Sequence, residues 1–272
     1  MAADAPAPVE LYSLDQGDGA VLLLLHGVGA NHTIWNGMIP RLARDFRVLA
    51  PDLRGHGRSP APPGAPLTYD ALVADVVHFL DRKDLRSAHL VGLSSGALLA
   101  LRIGLDRPER GRSLTMISGA AYTDAHTRSV AERWAETYAT EGPDRFALRI
   151  LKDLYYPDWI EEHMDFADKV RAQVKVQDFG PARRWARETA SFDERSRIAT
   201  LSLPTLIIQA MDDQVVDASH GRILRQSIPG SQIRILAQTG HMIPIERPEE
   251  AVESIGSFVR SVESRRTSPS PN

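Results

Sequence analysis

The sequence predicts an α/β fold: a mostly parallel twisted sheet with helices on both faces and a helical cap inserted late in the sheet. Two observations carry this expectation. Short, nearly continuous apolar runs alternate with segments whose apolar residues recur at three- and four-residue steps, the pattern of strands buried on both faces and joined by crossover helices. One long stretch, residues 121–200, then breaks the alternation with helical periodicities and no strand of its own. A chain of 272 residues with 43% hydrophobic side chains can enclose one large core. A single domain over 1–272 is therefore expected, with its core in 9–120 and 201–262 and the cap at about 121–200. The Ala/Pro-rich start, 1–8, and the last residues, 265–272, rich in Ser and Pro, read as disordered tails.

The elements follow in order. Val21–Leu25 and Arg47–Ala50 are the first strong strands, and the edge strand that usually precedes them in such sheets reads as short or missing. A helix follows in which Leu72, Val73, Val76, Phe79 and Leu80 share one face behind a Thr68 cap. Ala88–Gly92 is a strand leading through a turn into a helix-like run, Ala97 to Leu105, and Leu114–Ser118 is the next strand. The cap then holds most of the aromatic residues. The commonplace role of any one of them is the cap's own small core, but a helical lid over a sheet should leave some facing an apolar pocket. Tyr122, Tyr156 and Trp159 are the expected pocket residues. Thr205–Gln209 and Ile233–Leu236 complete the sheet, and Pro248 opens a last helix with Val252, Ile255, Val259 and Val262 on one face.

Composition narrows the function classes. A formal net charge of -3 gives no reason to expect nucleic acid or an anionic membrane as a partner. The longest apolar run, Ala20 to Leu25, is far too short to span a bilayer, so no stable membrane association is expected. The first residues have neither a basic nor an apolar segment of the kind that directs secretion, and a cytoplasmic location is expected. With no cysteine, a disulfide framework, a thiol nucleophile and a Cys-ligated zinc are ruled out. The oligomeric state is not legible in the sequence.

Four motifs carry chemistry. Gly92-Leu93-Ser94-Ser95-Gly96 lies between a strand and a helix, the context of a nucleophile elbow, where a serine is exposed on a strained turn and flanking glycines make room. Only Ser94 has glycine at both minus two and plus two, which separates it from Ser95. Leu25-His26-Gly27-Val28-Gly29 ends the first strong strand, Thr205 to Asp213 runs into two adjacent carboxylates, and Thr239-Gly240-His241 follows the last strand. Each lies at the C-terminal end of a strand, in the order Ser, Asp, His. Taken singly, a Gly-turn or a Gly-His pair is an ordinary loop feature.

Together these motifs, spread from about Val21 to Val259, resemble the α/β-hydrolase superfamily, and within it the 3-oxoadipate enol-lactonases and small carboxylesterases. The resemblance implies that Ser94 is the nucleophile, His241 the base and Asp213 the orienting acid, three residues beyond Ala210 at the family's usual glycine. It also implies that Val28 and Ser95 give backbone N–H groups to the oxyanion. Pro51 to Ser59 resembles the family's second glycine-rich turn, and there Asp52 and His56 are expected to support loops rather than react, as is His26 in the first turn. The implied activity is cleavage of a small-molecule carboxylic ester or lactone through an acyl-enzyme, with no metal and no organic cofactor. The same triad also supports lyases, carbon–carbon bond hydrolases and cofactor-free perhydrolases, and the fold can serve a small-ligand sensor.

Overall fold

The computed structural model describes residues 7–62 and 66–267; the expected tails lie largely outside these. Seven strands form one sheet in the order β1-β3-β2-β4-β5-β6-β7. They are β1 (Ser13–Gln16), β2 (Val21–Leu25), β3 (Arg47–Pro51), β4 (Ala88–Leu93), β5 (Gly111–Ile117), β6 (Thr205–Ala210) and β7 (Gln232–Leu236). Only β1 runs antiparallel, pairing Ser13 with Pro51 and Gln16 with Val48; all other neighbours are parallel. The helices are α1 (Ile39–Leu42), α2 (Tyr69–Arg82), α3 (Ser95–Asp106), α4 (Ala125–Thr140), α5 (Gly142–Leu154), α6 (Pro157–Glu162), α7 (Met164–Val176), α8 (Gly180–Thr189), α9 (Ser219–Ser227), α10 (Ile243–Glu246) and α11 (Pro248–Thr267).

The continuous apolar strands are explained by two cores, one on each face. Leu23, Leu25, Leu90, Leu114 and Ile207 point to the side covered by α2, α3 and α9, where they meet Leu72, Val76, Phe79, Leu99 and Leu224. The alternate residues Leu22, Leu24, Val91, Ile117 and Ile208 point the other way, against Ile39 of α1 and Ile255, Phe258 and Val259 of α11. Strand residues alternate sides, so a parallel strand covered on both faces must be apolar throughout, and β2 is buried at all five positions. The Thr68 cap is present: its hydroxyl accepts the Ala71 N–H at 3.2 Å.

Two strand boundaries differ from the sequence expectation for physical reasons. β1 exists, but its four residues, Ser-Leu-Asp-Gln, are half-buried or exposed and offer no apolar pattern. β5 starts at Gly111 rather than Leu114, because Ser113 is buried by pairing with His89 of β4, its hydroxyl 2.8 Å from His89 Nδ1. Five helices, α4 to α8, occupy the stretch between β5 and β6. Its two ends are drawn together by backbone bonds from Thr123 N–H to Phe192 O at 2.9 Å and from Glu194 N–H to Ala121 O at 2.8 Å. Among the described residues no helix is long and apolar enough to cross a membrane.

Candidate active site

Ser94 sits between β4 and α3 with φ +55 and ψ −125, a conformation costly for a residue with a Cβ and held only where the surroundings demand it. The demand comes from the two glycines. A Cβ on Gly92 would lie 2.2 Å from Gly96 O, and one on Gly96 would lie 2.2 Å from Leu25 O and 2.4 Å from His26 O. The turn is thus wedged against the end of β2, and Ser94 N–H is anchored to Ile117 O of β5 at 2.9 Å. Its side chain remains partly exposed, and no hydrogen bond takes up its hydroxyl among the described residues. Ser95 is the first residue of α3, so its N–H has no acceptor within the helix.

The turn after β2 faces this serine. A Cβ on Gly27 would come within 3.1 Å of Ser94 Cβ and 3.6 Å of its Oγ, and Val28 is the next residue along this turn. The turn is fixed from beneath by His26, which is fully buried: its Nε2 accepts the Leu53 N–H at 2.9 Å, so Nδ1 carries the proton and donates to Gly27 O at 2.8 Å. Burial, with His56 nearby, pushes the His26 pKa down to about 3, which keeps this linchpin neutral. From above, the Gln177 side-chain amide donates to Gly29 O at 2.8 Å, and the Trp185 ring stands edge-on to His26 and His56. Asp52 knits the second turn: Oδ1 accepts His32 N–H and Nδ1, and Oδ2 accepts Arg58 N–H. The bonds of its carboxylate go to loop backbone and His32, and the Ser59 hydroxyl donates to its backbone O at 2.6 Å, a supporting arrangement.

His241 and Asp213 meet across 28 positions of sequence, with Nδ1 2.7 Å from Oδ2, and both side chains are buried. The carboxylate can only accept, so Nδ1 donates, and in the neutral imidazole the lone pair is then on Nε2. Asp213 is held in this orientation because its other oxygen accepts Val215 N–H at 2.8 Å and Val216 N–H at 2.9 Å. The adjacent Asp212 uses only its backbone, donating N–H to Thr239 O and accepting from the Gln214 amide. It is therefore Asp213 that reaches the imidazole. Sequence reasoning missed Ser118, whose buried hydroxyl donates to His241 O at 2.9 Å from the end of β5.

The three aromatic residues expected at a pocket have different surroundings. Trp159 is stacked on Tyr155 at 5.4 Å and on His163 at 4.0 Å, with Phe166 edge-on. Tyr122 packs against His220, with the Arg195 guanidinium 4.2 Å from its ring centre. Tyr156 adjoins the His241 loop: its backbone N–H donates to Glu246 Oε2 at 3.0 Å, as does that of Gly240. Cavity size does not find this site. A groove of about 1090 Å³ opens at the opposite end of the sheet, lined by the strand starts Val21, Gly111 and Thr205 and by Arg86 and Arg112. Among the described residues no three histidine or carboxylate side chains are grouped to hold a metal ion.

Similarity to known proteins points to the same fold. 3-Oxoadipate enol-lactonase 1 of Acinetobacter baylyi is 28% identical over 250 residues, 89% of either chain. 2-Hydroxymuconate semialdehyde hydrolase of a Pseudomonas species is 29% identical over 258 residues, 90% of this chain and 88% of that one. Among solved structures, a thermophilic esterase from Thermogutta terrifontis superposes with a TM-score of 0.84 at 27% identity, over 93% of this chain and 94% of its own. A family model of the alpha/beta hydrolase fold matches residues 20–248, a span that takes in the Gly27 turn, the Ser94 elbow, Asp213 and His241, and the chain belongs to that family.

Proposed function

We propose that this protein is a serine hydrolase that cleaves a small carboxylic ester or lactone through an acyl-enzyme. The observation that carries the reading is the buried His241–Asp213 pair, which selects the tautomer of the neutral imidazole that has its lone pair on Nε2, on the same end of the sheet as a strained, unengaged Ser94. In this mechanism His241 Nε2 takes the Ser94 proton as Oγ attacks the carbonyl carbon. Asp213 holds the imidazole in the required tautomer and stabilises the imidazolium. The Val28 and Ser95 N–H groups receive the developing oxyanion, each worth roughly 3 kcal/mol of transition-state stabilisation. Protonated His241 then releases the leaving alcohol, and water, activated by the same base, frees the acid. Tyr156, whose backbone adjoins the His241 loop, is the aromatic residue assigned in this reading to border the substrate.

The relatives support both halves of the substrate class, a lactonase at 28% and an esterase at 27% identity. The semialdehyde hydrolase at 29% favours a second reading on the same residues, attack of Ser94 at a carbonyl flanked by a scissile carbon–carbon bond. The deciding experiment is a rate panel on the purified protein: p-nitrophenyl acetate and butyrate, small lactones, and a vinylogous dienol diketone. Fast multiple turnover of esters or lactones supports the proposal. Turnover of the diketone alone supports the second reading, and ligand-induced stabilisation without turnover of any of them would overturn both.

A further inference from the structure

Glu246 is a buried carboxylate, 5% exposed, to which the chemistry above assigns no step. One of its oxygens, Oε2, accepts two backbone N–H groups at 3.0 Å: that of Gly240, immediately before His241, and that of Tyr156, in the segment between α5 and α6, 90 positions away. On the other side of His241, the Met242 N–H donates to Leu154 O at 3.2 Å. The backbone on both sides of the imidazole-bearing residue is therefore tied to Leu154–Tyr156. The approach is close enough that a Cβ on Gly240 would lie 2.7 Å from Tyr155 C and Tyr156 N and 2.8 Å from Leu154 O. Meanwhile Glu246 Oε1 is buried with no partner among the described residues.

We propose that Glu246 is a positioning residue that makes the placement of the His241 imidazole depend on the seating of the segment Leu154–Tyr156. What the geometry requires is an acceptor shared by two elements. When the segment is seated, Glu246 closes the bridge and the Gly240–His241 peptide is fixed; when it lifts, Gly240 loses the constraint and the imidazole drifts from Ser94. The inference rests on the reading of His241 as the base.

The test uses four variants of the full chain. Glu246→Ala removes the acceptor and Glu246→Gln keeps a carbonyl oxygen in the Oε2 position. Tyr156→Pro deletes the second N–H together with the ring without straining the backbone, since Tyr156 already has φ −65 and ψ 134, which proline tolerates. Tyr156→Ala is its reference, lacking the same ring but keeping the N–H. Misplacement of a catalytic group by about 1 Å can cost on the order of 10²-fold. Glu246→Ala should accordingly lower kcat 10- to 100-fold with KM changed less than about threefold, and Glu246→Gln should recover most of the loss. Tyr156→Pro should fall at least fivefold below Tyr156→Ala. The low-field proton resonance of His241 Nδ1–H, visible in wild type and Glu246→Gln, should broaden or vanish in Glu246→Ala. If Glu246→Ala does not fold, the Tyr156 pair decides alone. Wild-type kcat in Glu246→Ala, failure of Glu246→Gln to recover it, or equal rates in the two Tyr156 variants would overturn the proposal. A wild type whose Ser94 does not react with a fluorophosphonate would instead sink the reading on which it rests.

Discussion

Replacing Asp213 by Asn removes the charge that holds His241 while keeping the shape of the side chain. In the native protein Oδ1 accepts Val215 and Val216 N–H groups and Oδ2 faces His241 Nδ1 at 2.7 Å. The Asn carbonyl will stay with the two backbone donors, so its NH2 points at Nδ1. Nδ1 must then accept, the ring proton moves to Nε2, and the base cannot take the Ser94 proton. Flipping the amide would restore the tautomer but leave two buried N–H groups without an acceptor. At about 1–3 kcal/mol each, that is about 2–6 kcal/mol, a productive fraction reduced roughly 30-fold to 10⁴-fold. The same exchange in serine proteases with this triad costs about 10⁴. Asp213→Asn should therefore lower kcat for p-nitrophenyl butyrate by roughly 10² to 10⁴, with an unchanged thermal midpoint. Asp212→Asn, whose side chain bonds to nothing in this network, should lose less than about tenfold. A crippled Asp212→Asn, or an Asp213→Asn within threefold of wild type, would refute the argument.

Acid should destabilise the protein from pH 6.5 downward. His26 is pushed down to about 3 and His89 to about 4, and His56 is lowered as well, in each case chiefly by burial. The unfolded chain takes up these protons first as pH falls, so the stability they carry is complete above 6.5 and lost below it. The slope approaches about 1.4 kcal/mol per pH unit for each histidine, against one opposing group, Glu246, whose carboxyl burial raises. The urea midpoint should drop steeply between pH 6.5 and 5, and a midpoint constant over that range would count against it. Trp159→Leu should lower stability and slow all esters equally, because its ring is stacked within the insertion. Tyr156→Leu, beside the His241 loop, should instead change the ratio of short- to long-chain ester rates by about tenfold, the scale of one hydrophobic-pocket contact; the reverse pattern would exchange their assigned roles.

Much of this was legible because the decisive constraints are local. Gly92 and Gly96 flank Ser94 within five residues, and the contacts that forbid a side chain at either leave a mark in the sequence itself. The apolar strands show for the same reason, since burial on two faces leaves no freedom at any position. The strand β1 was not legible, because an edge strand half in solvent carries no hydrophobic rhythm. Nor were the contacts of Ser118, Gln177 and Glu246, which join residues 123, 148 and 90 positions apart through single polar side chains. Such pairings have no periodicity, and the identity of a Ser, Gln or Glu does not say which distant backbone group it will meet. Which aromatic rings of the insertion pack among themselves was equally hidden: nothing in the sequence says that Trp159 stacks between Tyr155 and His163.

The most direct test of the central claim, that Ser94 is a nucleophile activated by His241, is covalent labelling read by intact mass and peptide mapping. Wild type and the Ser94→Ala, Ser95→Ala and His241→Ala variants are exposed to an alkyl fluorophosphonate. The account predicts a single adduct on Ser94 in wild type and in Ser95→Ala, none in Ser94→Ala, and labelling slowed by orders of magnitude in His241→Ala. An adduct that persists in Ser94→Ala, or that forms at the wild-type rate without His241, would contradict it.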